Sequence, residues 1–292
     1  MTDTGNSDIL QRSVAERQQA RRENWRLLRR RPGFVIGSVI AGFWVFCAFF
    51  GQRIAPYDPF DYRDTKQLSP NGDHWFGTDK IGRDIFSRVL TGSRDVLLVA
   101  PAAAVLGVIF GSILGIFMGY YRGWVDNVLS RIVEALLALP VVLVGLLVLT
   151  LAKSSNLVII FVVAVLFMPI VARTVRAAVI SERDLDYVVS AQLRGESNMF
   201  IMTREILPNI TPPIVVELTV RIGYAIFTVS TLSFLGVGIQ RPSPDWGLAI
   251  SEGRDLLPAN IWWLVTFPAL AIATLVVAVN LVADSIQAVF ER

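Results

Sequence analysis

The sequence predicts an all-α membrane protein of six transmembrane helices, and three observations carry that expectation. Of 292 residues, 53% are hydrophobic and only 17% charged, against about 25% charged in a soluble domain. Mean hydropathy is +0.55. Six apolar stretches of roughly 20 residues each match the length a helix needs to cross a hydrocarbon layer of about 30 Å. The net charge of +3 does not point to nucleic acid, because the arginines gather at span boundaries, a topological pattern. A single cysteine, Cys47, excludes an intrachain disulfide, and a single histidine, His74, argues against a zinc site built from histidines.

Residues 1–32 read as a polar tail with eight arginines. It has too little apolar content for a core and is expected to be disordered or a surface helix, and the positive-inside tendency puts it in the cytoplasm. Arg29-Arg30-Arg31 abut the first span, Gly33–Gln52, which is too long for a signal-peptide core and should remain an anchor. Cys47 sits there as a packed small hydrophobe. The further spans read as Val96–Tyr120, Ile132–Leu151, Leu157–Val175, Thr211–Gly236 and Ile261–Ala283. An even count returns the C-terminus to the cytoplasm. The outer connections are then Arg53–Asp95, Lys153–Asn156 and Ile239–Asn260. The first of these is long, and its seven Lys or Arg are matched by seven Asp. The organisation is a tail (1–32), a first helix with an outer loop (33–95), and a five-helix core (96–292) containing a polar segment at 182–209.

Within the second span Gly107, Gly111, Gly115 and Gly119 follow one another every four residues and form a groove down one helical face. Small residues let backbones approach in lipid, where no hydrophobic effect drives association. The groove packs within this subunit or against a second one, or lets a helix slide. In the third span Glu134 is expected in the first turn, favoured by the helix dipole and within reach of Arg131, and Pro140 is expected to kink the helix. In the fifth, Glu217 and Arg221 lie at i and i+4 on one face. They form a structural ion pair or line a translocation path. Asn280 and Asp284 make a second polar i, i+4 pair at the end of the last span.

Between Arg173 and Asn209 the chain turns polar. Asp186–Arg194 and Asn198–Leu207 read as short helices, with Gly195 permitting the turn, Ser197 or Asn198 capping the second and Pro208 stopping it. Thr211 would then cap the fifth span, with Pro212 and Pro213 in its first turn. Tyr187, Val188, Ala191 and Leu193 give the first short helix apolar surface among charges. Such a helix docks into a partner's groove or is an ordinary interfacial loop.

The stretch Val189-Ser190-Ala191, Gly195 and Leu207-Pro208 resembles the EAA loop of ABC importer permeases of the dipeptide and oligopeptide type. The family glutamate is replaced by Val189, and Glu205 stands where a histidine is frequent. His74-Trp75-Phe76-Gly77-Thr78-Asp79 with Gly82-Arg83-Asp84 and Ser87-Arg88 is similar to an outer-loop signature of the second-type permease subunit. A set of glycine turns with ion pairs among Asp79, Arg83 and Asp84 would account for most of it. Leu232 to Gly238, Pro244-Asp245-Trp246-Gly247, and Asn280-Leu281 with Asp284 extend the likeness, without the usual Asp-Pro-Arg ending.

That resemblance implies a type I ABC importer permease in the inner membrane. It would pair with a homologous permease, cytoplasmic ABC ATPase subunits and an extracytoplasmic substrate-binding protein. It also implies a coupling role for Asp186, Tyr187, Ser190, Ala191, Leu193, Gly195, Leu207 and Pro208. No G-x-x-x-x-G-K-[ST] occurs in the sequence, so no cofactor is expected in this chain, and ATP and Mg would be held by the partners. The solute would be a di- or oligopeptide, or a related small molecule such as haem, a nickel chelate or glutathione. The rival readings are an ion-gradient-driven secondary transporter, which often shows inverted repeats not visible here, and a non-transporting receptor or scaffold subunit.

Overall fold

The computed structural model describes residues 26–62, 66–152 and 155–290; the reading of the tail before residue 26 lies outside them. Every long element is helical, and five helices are long and apolar enough to span a membrane, with a sixth span broken in two. Helix α1, Pro32–Ile54, begins on a proline whose fixed φ suits the first turn. Its side toward the bundle carries Gly37, Trp44, Cys47 and Gly51. A Cβ on Gly37 would meet Ala278 O at 2.6 Å, and Trp44 Nε1 donates to Thr274 Oγ1 at 3.2 Å. The opposite side leaves Val39, Phe43 and Phe49 exposed, as a lipid-facing helix should.

Helix α2, Ile85–Tyr120, starts eleven residues before the expected Val96. Asp84 caps it, accepting from Ser87 N at 2.8 Å. The polar residues of its first turns are absorbed by partners, which composition alone cannot show. Arg88 donates to Pro59 O and Ser243 O, each at 3.1 Å.

The third span is not a kinked rod. It divides into α3, Trp124–Leu137, and α4, Val141–Leu151, bent by 86°. Pro140 is the N-cap of α4, so the proline separates two helices where a kink in one was expected. Glu134 therefore lies in the last turn of α3, against the N-terminal placement expected for it, and its contact with Arg131 is a 3.8 Å exposed pair. The carboxylate of the first turn is Asp126, which holds Arg176 at 2.6 and 2.7 Å.

Helix α5, Asn156–Glu182, is capped by Ser155 and runs along α2. The glycine column meets it at every step. Cβ atoms on Gly111, Gly115 and Gly119 would come within 2.6 Å of Val171 Cβ, Ala172 O and Val179 Cβ, and one on Gly107 within 3.0 Å of Ala164 O. The column packs inside the subunit, with the ridge of α5 interlocked in it.

After α6, Asp186–Leu193, helix α7 runs unbroken over Asn198–Phe234, so Pro208 does not stop it. A π-helical stretch, Ile201–Ile206, precedes the proline, and Leu207 N–H reaches back five residues to Met202 O. The wider turn shifts the backbone register just where a proline ring would otherwise meet the preceding carbonyl. Thr211 is consequently interior rather than a cap, and its hydroxyl donates back to Leu207 O at 2.9 Å. Helix α8, Trp246–Gly253, is capped by Asp245, and Trp246 is fully buried, donating to Val89 O at 2.9 Å. Helix α9, Trp263–Phe290, outlasts its expected end at Ala283.

The loop between α1 and α2 bears out the turn-and-ion-pair reading. Gly77 and Gly82 have φ of +77° and +92°. Asp79 holds Arg83 at 2.5 Å, Arg83 reaches Glu252 at 3.0 Å, and His74 Nδ1 lies 2.9 Å from Asp84 Oδ1. These buried contacts fasten the loop to α8. One apolar core of α1, α2, α5, α7 and α9 lies toward this end of the bundle. A second, at the other end, joins α2 and α5 to α6 and the start of α7.

Candidate coupling surface

The polar segment folds as a helical hairpin. Ala191 O accepts from Glu196 N at 3.2 Å and Gln192 O from Gly195 N at 3.0 Å, a paired closure that requires the left-handed residue between. Gly195 supplies it with φ +77°. Ser197 caps the next helix by accepting from Phe200 N at 3.3 Å.

One face of the hairpin is set into the bundle. Val188 and Ala191 are 0% exposed, and Ile201, Met202 and Ile206 nearly so, packed against Val171, Val175 and Val179 of α5. Polar contacts pin its edges. Arg183 donates to Gly119 O at 3.1 Å and Tyr120 O at 2.6 Å, the free carbonyls at the end of α2, where a cation also complements the helix dipole. Tyr120 Oη donates to Asn198 Oδ1 at 2.9 Å. Arg122 pairs with Asp184 and, by that hydrogen bond, holds its carboxyl below the usual range. Burial, with a bond to Glu182, pushes the Tyr187 phenol up to about 12, so it remains a donor to that carboxylate at 2.5 Å. Arg194 braces the loop by reaching Glu205 at 3.5 Å.

The other face is open. Leu185, Val189 and Leu193 stand at i, i+4 and i+8, all exposed, Leu193 by 84%. Met199 and Phe200 extend the patch, and Asp186, Ser190 and Gly195 lie exposed beside it. The structure thus divides the apolar residues that the sequence grouped together. Val188 and Ala191 anchor the hairpin, Tyr187 is half-buried, Leu207 is half-buried with Pro208 exposed, and Leu193 alone of the apolar four stands fully out. Leu185, Val189, Met199 and Phe200 went unremarked as surface residues, although the four-residue spacing of Leu185, Val189 and Leu193 was there to read.

Within the bundle, Glu217 and Arg221 form the ion pair expected from their spacing. Arg221 Nε and Nη2 donate to Glu217 Oε1 at 3.2 and 3.1 Å, both side chains being 11% exposed. The guanidinium also sits 5.0 Å from the Tyr224 ring centre. Asn280 and Asp284 are both exposed on α9, and among the described residues no hydrogen bond joins them.

Comparison with known proteins places the chain among relatives. Residues 111–292 match the family described as "Binding-protein-dependent transport system inner membrane component". Residues 20–70 match "N-terminal TM domain of oligopeptide transport permease C". The chain is similar to the "Glutathione transport system permease protein GsiD" of Shigella flexneri serotype 5b, at 40% identity over 268 residues, 91% of this chain and 88% of the relative. Proteins of the same name from Escherichia coli O6:K15:H31 and Pectobacterium atrosepticum are 38% and 37% identical, each over 91% of this chain and over 88% and 89% of the relative.

Proposed function

The chain belongs to the inner-membrane components of binding-protein-dependent transport systems, and from that premise we propose how it works and what it carries. It is a multi-pass permease subunit of an ABC importer and not itself an enzyme. Our reading is that the hairpin at residues 183–200 is the coupling joint, lying on the cytoplasmic side with both termini. The loop between α1 and α2 then faces the substrate-binding protein. A homologous permease completes the path, and ATPase subunits holding ATP and Mg seat against Leu185, Val189 and Leu193.

The observation that carries this reading is the two-sidedness of the hairpin. One face is interlocked with α5 and tied to the end of α2, while the other presents an apolar stripe to whatever lies beyond. Apolar surface displayed on a rigid, charged hairpin marks a protein interface. A partner that moves this joint moves α2, α5 and α7 together. To do so it must contact the joint differently in its two nucleotide states, since otherwise no equilibrium shifts. One residue that departs from the family pattern, Val189, is on the stripe, so docking here rests on apolar contact at a position where relatives of the family place a carboxylate.

The solute class follows from the relatives, which are named for glutathione transport; a small peptide-like molecule bearing an amino group is our assignment. The test is reconstitution of the full complex with its binding protein in vesicles. ATP-dependent uptake of a labelled tripeptide, together with a crosslink between Leu193→Cys and an ATPase subunit, is the expected result. Uptake that follows an ion gradient and ignores ATP would refute the reading, as would a Leu193→Cys thiol that reacts only from the opposite side of the membrane.

A further inference from the structure

Between α7 and α9 lies a cleft of about 380 Å³ whose wall includes Gly223, Tyr224, Asn280 and Asp284, with Val220 and Val276 as apolar lining. Asn280 is seventeen residues from Trp263, the first residue of α9, or about 26 Å along the helix. Asn280 therefore lies within the span, and Asp284, about 32 Å along, lies at its end. Gly223 makes the arrangement possible, because a Cβ there would stand 2.6 Å from Asn280 Oδ1. The carboxamide thus rests directly on the backbone of α7.

Among the described residues the charges of this region do not balance. Glu217 and Arg221 neutralise one another. Asp284 has no ion pair among the described residues, and no Lys or Arg lines the cleft. A carboxylate at the end of a span, beside Val220, Val276 and Ala283, is stabilised by water or by a cation. Beside it the Tyr224 ring is 56% exposed, while its π system already accommodates one cation, Arg221, at 5.0 Å. A carboxylate, an amide oxygen and an aromatic face in one apolar-walled cleft suit a compact ammonium group better than an anion.

We propose that this cleft is a subsite for the ammonium group of the transported solute, with Asp284 as counter-ion and Asn280 as a hydrogen-bond partner. The inference rests on the transport reading above and adds to it a specificity-determining pair. It favours the solute over a cation of the partner permease because the cleft is concave and larger than one side-chain head group requires.

The experiment uses the assembled complex in vesicles, with Cys47→Ser to remove this chain's only native thiol and Val276→Cys, at an apolar lining position, as a reporter. A neutral thiosulfonate reagent modifies the reporter, with trialanine or N-acetyl-trialanine as probe. Trialanine should slow modification about tenfold and its N-acetyl form should not. The protection should vanish in Asp284→Asn and persist in Asp284→Glu. Equal protection by both probes, or protection that survives Asp284→Asn, would overturn the proposal. So would a reporter that is unreactive before peptide is added, since a partner side chain would then fill the cleft. Val220→Cys lines the same cleft and serves if Val276→Cys fails to assemble. ATP-driven uptake is measured in the same vesicles. Uptake without selective protection refutes the subsite alone, whereas absence of uptake in the unsubstituted complex refutes the transport reading.

Discussion

Replacing the column glycines by alanine should produce a graded series rather than a uniform loss. An added Cβ at Gly115 would lie 2.6 Å from Ala172 O and 2.8 Å from Val175 Cβ, and at Gly111 2.6 Å from Val171 Cβ. Ordinary carbon contacts begin near 3.5 Å, so α2 and α5 must separate by close to an ångström, and backbone atoms on α5 cannot step aside as a side-chain tip would. Overpacking of this kind costs about 1–3 kcal/mol, partly offset by about 1 kcal/mol from replacing glycine inside a helix. At Gly107 the nearest atoms are at 3.0 and 3.2 Å, so the two contributions there should nearly cancel. The assay is thermal inactivation of the purified complex, followed by the loss of intact complex. Gly111→Ala and Gly115→Ala should lower the midpoint clearly, and Gly107→Ala should leave it within a degree or two. If Gly107→Ala is as damaging as Gly115→Ala, or if all four are silent, the interlocked packing described here is wrong.

Four further outcomes follow from the same structure. Leu193→Asp should leave assembly of the spans intact and uncouple ATP hydrolysis from uptake, because the side chain is almost fully exposed; normal coupled uptake would count against the docking stripe. Gly195→Trp should reduce coupling through both its bulk and its left-handed backbone, while Gly195→Asn, which tolerates that conformation, should retain most of the uptake. Arg221→Met should lower the yield of folded complex more than Glu217→Gln and Arg221→Met combined, since the single change strands a buried carboxylate at a cost of about 3–5 kcal/mol. Asp245 is fully buried, and burial pushes its carboxyl up to about 6 from 3.8. The folded state thus holds this proton to higher pH than the unfolded one. The contribution of Asp245 to stability is greatest below pH 3.8, declines as pH rises through about 6, and then levels off. Two units correspond to roughly 3 kcal/mol at most. Asp245→Asn keeps an oxygen for Leu248 N–H and should flatten that dependence in hydrogen exchange of the α8 amides.

Much of the span pattern was legible because hydropathy depends only on composition over about 20 residues. What composition cannot report is where a polar side chain finds its partner. Arg88 and Asp84 looked like loop residues, yet the carbonyls of Pro59 and Ser243 and the N-terminus of α2 accommodate them. Prolines misled in both directions. Pro140 divides a span because the chain turns sharply there, whereas Pro208 is carried through by the π turn upstream of it. In the hairpin, Gly195 and Ser197 declared their roles, since turn and cap chemistry is local. The facing of Val188, Ala191 and Val189 did not, because an eight-residue helix can present any side until its contact with α5 is known.

The unbroken course of α7 has a geometric corollary. A rod of 37 residues is about 55 Å long, so a tilt of roughly 5° about one end sweeps the other through about 5 Å. With nitrogens that cannot donate at Pro208, Pro212 and Pro213, that lever is stiff over most of its length and compliant near the hairpin. On the coupling reading proposed above, a small tilt imposed beside the hairpin would be magnified at the far tip, beside Phe234, without any helix having to unwind.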